Sequence, residues 1–78
     1  MKTVSTFVVA SNSEGSVEML HVEVTCTEEQ YSDGDHTDAA RTTCEDVGYD
    51  VIAAFDESEP AARQVDKSLF SFKMTAIA

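Results

Sequence analysis

The side chains able to do chemistry are few here, so each can be weighed by its neighbours and its spacing. Cys26, Cys44, His21 and His36 are the candidates for a zinc site. Zinc ligands come in close pairs such as Cys-x-x-Cys or His separated from His by three to five residues. Neither cysteine has such a neighbour. On an extended segment His21 and Cys26 also point to opposite faces, so one tetrahedron cannot take both. The cysteines are read as buried, reduced thiols acting as small apolar side chains, with a disulfide between them as the alternative.

Nucleophilic catalysis needs a Ser or Cys within hydrogen-bond reach of a base. His36 and Cys44 fall on one expected helix about 12 Å apart, which is too far. Nothing in the sequence marks any serine. Gly15, Gly34 and Gly48 are too scattered to cradle a phosphate. The run Asp33-Gly34-Asp35-His36-Thr37-Asp38 has the acidity of a calcium loop. That loop wants Gly at its sixth position and Glu at its twelfth. Asp38 and Cys44 stand there, so the run is read as a helix start, where Asp meets the positive end of the dipole. No catalytic residue, metal ligand or cofactor is expected, and the chain is not read as an enzyme.

Carboxylates remain. Fifteen acids against five bases give a formal net charge of −10. The imbalance sits in residues 28–59, where Arg41 alone faces Glu28, Glu29, Asp33, Asp35, Asp38, Glu45, Asp46, Asp50, Asp56, Glu57 and Glu59. By contrast, Arg63, Lys67 and Lys73 outnumber Asp66 in residues 60–78. Such a chain is not expected to bind nucleic acid or an anionic membrane directly, since phosphate contacts need Lys and Arg. Asp38, Arg41 and Glu45 are spaced to pair along a helix, so Arg41 is expected to be neutralised internally. Glu45 and Asp46 would lie in a last helical turn, where the dipole disfavours them.

The expected partner-binding residues are therefore Glu28, Glu29, Asp33, Asp35, Asp38, Glu45 and Asp46. Their field attracts a basic protein surface and steers association. Carboxylates one helical turn apart lie about 6 Å from each other, comparable to phosphates along a strand. The expected partner is thus a basic groove of a nucleic-acid-binding complex, occupied by mimicry. In being small, acidic and without a cofactor motif, the chain resembles the anti-CRISPR and antirestriction inhibitors of phages. That resemblance implies inhibition of a nuclease and rests on composition. A reading from another class is a structural or accessory module that forms a homodimer through Val17, Met19 and the last strand, its acids serving solubility.

The elements that must position these groups follow from periodicity. Thr3 to Ala10 and Val17 to Thr27 read as strands joined by the turn residues Asn12-Ser13-Glu14-Gly15-Ser16. A helix is expected near residues 33–47, starting at Ser32 or Asp35 and ending at Gly48 in a Schellman turn with Tyr49 packed back on Cys44. Thr27-Glu28-Glu29-Gln30 also fits a capping box, with 28–32 taken as a loop or an extra turn. The apolar positions of the helix are Val47, Cys44, Ala40 and His36, or Ala39 on the flank. Val51 to Phe55, apolar on both sides, suits a central strand. Pro60 opens a short helix through Val65, and Ser68 to Ala78 is the last strand, with Phe70, Phe72, Met74 and Ala76 on one face.

The expected architecture is a single α+β domain over residues 1–78, ordered β-β-α-β-β, with a mostly antiparallel sheet and one helix on one face. Its core draws on Phe7, Val9, Leu20, Val22, Val24, Ala40, Cys44, Val47, Val51, Ala53, Phe55, Phe70, Phe72 and Met74. No run approaches the ~20 apolar residues of a membrane span. The stretch Phe7 to Ala10 is too short for a secretory signal, so a cytoplasmic location is expected.

Overall fold

The computed structural model describes residues 1–60, 64 and 66–78, without the side chains of Lys67, Phe72 and Lys73. Strands β1 (Lys2–Ser11) and β2 (Val17–Cys26) form an antiparallel hairpin in unbroken register from Lys2 opposite Cys26 to Ser11 opposite Val17. Asn12 fastens the turn. Its Oδ1 accepts from the backbone N–H of Glu14 at 2.9 Å and of Ser16 at 3.1 Å. Gly15 supplies the left-handed residue, at φ +84°.

Two helices follow where one was expected. α1 (Glu28–Asp33) and α2 (Asp35–Asp46) meet at Gly34. Thr27 starts α1 with a complete capping box: its hydroxyl accepts from the Gln30 N–H at 3.1 Å, and its own N–H donates to Gln30 Oε1 at 2.8 Å. The expected helix at 33–47 is therefore corrected, because Gly34 at φ +83° is left-handed and ends one helix before the next begins.

β3 (Asp50–Asp56) and β4 (Ser71–Ile77) complete a sheet of order β3-β1-β2-β4. β3 is antiparallel to β1, whereas β4 runs parallel to β2, so the sheet is mixed. β3 is an edge strand, correcting its expected central position; the centre is the hairpin. Its two-sided apolarity has another cause. α2 packs across one face of the sheet, and Phe7, Phe55 and Phe70 cluster on the other. A register shift between Val9 and Ala10 leaves Ile52 as a bulged, 59% exposed residue on this edge.

Even-numbered positions of the hairpin face the helices. Val8, Ala10, Leu20, Val22 and Val24 pack there with Ala40 and Cys44. Val4, Val8 and Ala10 replace Val9 as the main β1 contribution, since β1 is apolar in both phases and its sequence shows no contrast. Val47 is 60% exposed rather than in the core: it is the residue on which α2 stops and turns away. The last strand begins at Ser71, after a 3₁₀ turn at Lys67–Leu69. Phe70 belongs to the far-face cluster, whereas Met74 and Ala76 pack against the helix side. The expected single face is split, because the register shifts between His21 and Val22. The expected helix from Pro60 through Val65, and Phe72 as a core side chain, lie outside what is described. Among the described residues, no helix is long and apolar enough to cross a membrane.

Candidate functional site

All seven carboxylates expected to meet a partner are exposed. Three of them, Glu28, Glu29 and Asp33, belong to α1, and Glu28 and Glu29 occupy its first turn, where the dipole favours them. The rest follow from the phase of α2. His36, Ala40 and Cys44 are buried at every fourth position. With about 100° between successive residues, Asp35, Asp38, Glu45 and Asp46 fall on the opposite side. Core packing thus turns the acids outward.

Gly48 (φ +98°) ends α2 as the sequence predicts. Its N–H donates to the Glu45 carbonyl at 3.0 Å, and the Tyr49 N–H to that of Cys44 at 3.1 Å, which is the Schellman pattern. Tyr49 packs against the cluster that contains Cys44. Glu45 and Asp46 lie in the last turn, which holds no basic residue.

Among the described residues the layer is poorly neutralised. Lys2 Nζ lies 3.6 Å from Glu28 Oε1 and 4.0 Å from the centroid of Tyr31, so one cation serves a carboxylate and a ring. Among the described residues this is the one ion pair made by any of the seven acids. Arg41 makes no ion pair with Asp38 or Glu45, correcting the expectation that the helix would neutralise it internally. Such exposed pairs contribute about 0–1 kcal/mol, too little to fix two long side chains.

Beneath this layer is a polar group that the sequence did not announce. His36, Asp56 and Thr6 are all buried. His36 Nε2 contacts Asp56 Oδ2, and Tyr31 stacks over the imidazole with centroids 4.7 Å apart. Ser58 caps the other oxygen, Asp56 Oδ1, through its N–H at 2.8 Å and its hydroxyl at 2.5 Å. Burial pushes the Asp56 carboxyl up, but the hydrogen bonds from Ser58 and His36 outweigh it, leaving the group below the usual carboxylate range. Asp56 therefore accepts, and Nε2 carries the proton.

Ser, His and Asp meet here, yet not as a nucleophile and its base. The Ser58 hydroxyl donates to the carboxylate instead of the imidazole, which is not the hydroxyl-to-imidazole contact of a Ser–His pair. Among the described residues, His36 Nδ1 and Thr6 Oγ1 are buried without a hydrogen-bond partner. The sequence signal was partial: His36 lies on the apolar stripe of its helix, but Asp56 reads as the first residue of a turn.

The remaining chemical candidates are dispersed. His21 stacks on Phe7 with centroids 5.2 Å apart and bonds Ser5 Oγ at 3.0 Å, on the face away from the helices. Cys26 and Cys44 are both buried and unbridged. Cys26 lies opposite Lys2, whereas Cys44 sits near Tyr49, whose hydroxyl reaches Glu18 opposite Ala10. The levels of Lys2 and Ala10 are about 26 Å apart at ~3.3 Å per residue. A bridge needs Cα atoms within about 7 Å. The expected alternative of a disulfide is thus excluded by the direction in which α2 runs.

No protein-family model, curated protein or solved structure matches the chain.

Proposed function

We propose that the chain is a protein-binding inhibitor whose α1–α2 layer occupies a basic groove of a nucleic-acid-handling partner. What supports this reading most is the exposure of seven carboxylates on one helical layer, of which Lys2 pairs with Glu28 alone among the described residues. Like charges held this close repel one another, and a cationic groove relieves that repulsion on binding. Asp35 and Asp38, one turn apart on α2, stand about 6 Å apart, a spacing that suits a groove shaped for a phosphate chain. Function here needs a rigid scaffold and a surface, with no catalytic step.

The test is affinity capture from a lysate at low and high salt, with the chain and its Asp35→Lys, Glu45→Lys double variant. The expected result is capture of a basic nucleic-acid-binding protein that high salt disrupts, with an affinity at least about tenfold lower in the double variant. Unchanged affinity would discard the proposal. A dimer by light scattering, with no partner captured, would favour the accessory-module reading.

A further inference from the structure

We propose that a surface cavity at the C-terminal end of α2 receives one long cationic side chain, lysine or arginine, from the protein partner; this rests on the reading above and gives that interface its anchor. The cavity has a volume of about 460 Å3 and is lined by Asn12, Ser13, Val47, Gly48, Tyr49 and Met74. Ligand sites typically span about 300–1,000 Å3.

Three separate pieces of chain build it. The hairpin turn contributes Asn12 and Ser13, held by the two bonds to Asn12 Oδ1. The end of α2 contributes Val47, Gly48 and Tyr49. The left-handed step at Gly48 turns the chain off the helix axis and leaves Val47 60% exposed. β4 contributes the half-buried Met74. These walls are anchored to the core through Tyr49 and Met74, both packed on the main hydrophobic cluster.

The lining chemistry selects the occupant. Val47, Met74 and the Tyr49 ring offer an apolar path for an aliphatic stem, as lysine and arginine stems use elsewhere. Among the described residues, the charges beside that path are negative. The cavity adjoins the negative end of the α2 dipole, in a last turn with Glu45 and Asp46 and no base. Glu18 adds a positioned carboxylate, bonded at 3.0 Å by Asn12 Nδ2 and at 3.3 Å by the Tyr49 hydroxyl. An anion is repelled here, and a purely apolar group leaves the dipole end uncompensated. A cation at the end of an apolar stem satisfies both. The acidic ridge supplies long-range attraction but little register; a side chain seated in a cavity supplies a fixed point, as binding hot spots do.

The experiment uses the isolated chain, so its outcome does not depend on whether the acidic ridge binds a partner. The 15N-labelled protein is titrated with Nα-acetyl-arginine amide, Nα-acetyl-lysine amide and, as an apolar control, Nα-acetyl-norleucine amide. Saturable shifts at the amides of Ser13, Gly48 and Tyr49 are expected with at least one cationic probe, with affinity at least about tenfold above the control. The stronger of the two cations identifies the preferred side chain. Val47→Arg, at the exposed lip, places a guanidinium beside the cavity and should abolish the response; Ser13→Arg serves if that variant unfolds. An equal response to the norleucine probe, or shifts spread over α1 and α2 without saturation at Gly48, overturns the proposal. Failure of the parent chain to capture a basic partner, with an intact probe response, would discard the ridge reading alone.

Discussion

His36 on α2 and Asp56 at the end of β3 are twenty residues apart in sequence and meet as a buried pair. The contact ties the start of α2 to the end of β3, level with Thr6 midway along β1. Asp56→Ala would leave the buried imidazole N–H without an acceptor. A loss on the order of 3 kcal/mol is expected, since breaking a buried pair costs more than the pair contributes. In a chain of 78 residues that is a large share of the total. The His36→Leu, Asp56→Leu double variant should lose less than the sum of the two single changes. Urea midpoints at neutral pH check both; additive losses would mean that the side chains act independently.

Acid should weaken the same contact. The folded pKa of Asp56 lies below its usual value, and the unfolded value is about 3.9. Between the two the unfolded chain binds more protons, so stability rises with pH. The contribution is complete above the unfolded value and is lost as pH falls through it toward the folded one. Asp66, lowered by hydrogen bonds from Ser68, adds to the slope with the same sign. Urea midpoints followed below about pH 5 should fall less steeply in Asp56→Asn than in the parent chain.

Glu45 and Asp46 should oppose stability. Both lie at the negative end of the α2 dipole. Asp46→Lys is expected to raise stability by about 0.3–1 kcal/mol, an effect that salt diminishes. Asp35→Lys, in the first turn, should lower it by a similar amount. Thermal midpoints at low and high ionic strength test the pair, and a stabilising Asp35→Lys would show that the dipole does not govern these positions.

The two cysteines should stay reduced and slow to react. Burial pushes the Cys44 thiol up, and Glu45 pushes it further, so the reactive thiolate is scarce. Thiol labelling of the folded chain should proceed only as fast as it opens. Oxidation should yield no intramolecular bridge, as intact mass will show; a native Cys26–Cys44 bridge would contradict the direction of α2 across the sheet.

Local signals were legible where one residue's chemistry decides the outcome. Gly48 ended α2, Thr27 and Gln30 formed the capping box, and Asn12 with Gly15 made the hairpin turn. Gly34 was equally visible, but whether it interrupts a helix or is tolerated inside one depends on competing packing. The acidic face was legible because burying His36, Ala40 and Cys44 leaves its carboxylates nowhere but outside.

Residue order along the chain determined by itself that a strand pair precedes the helical segment, where the hairpin bends and which carboxylates meet solvent. These depend on contacts within a few residues, which the chain carries everywhere. Strand order, the parallel β4, the bulge at Ile52 and the meeting of His36 with Asp56 were decided only in three dimensions. Each is a choice between partners distant in sequence, and a strand apolar on both faces suits a centre or an edge equally well. Packing against α2 on one side and the phenylalanine cluster on the other made that choice.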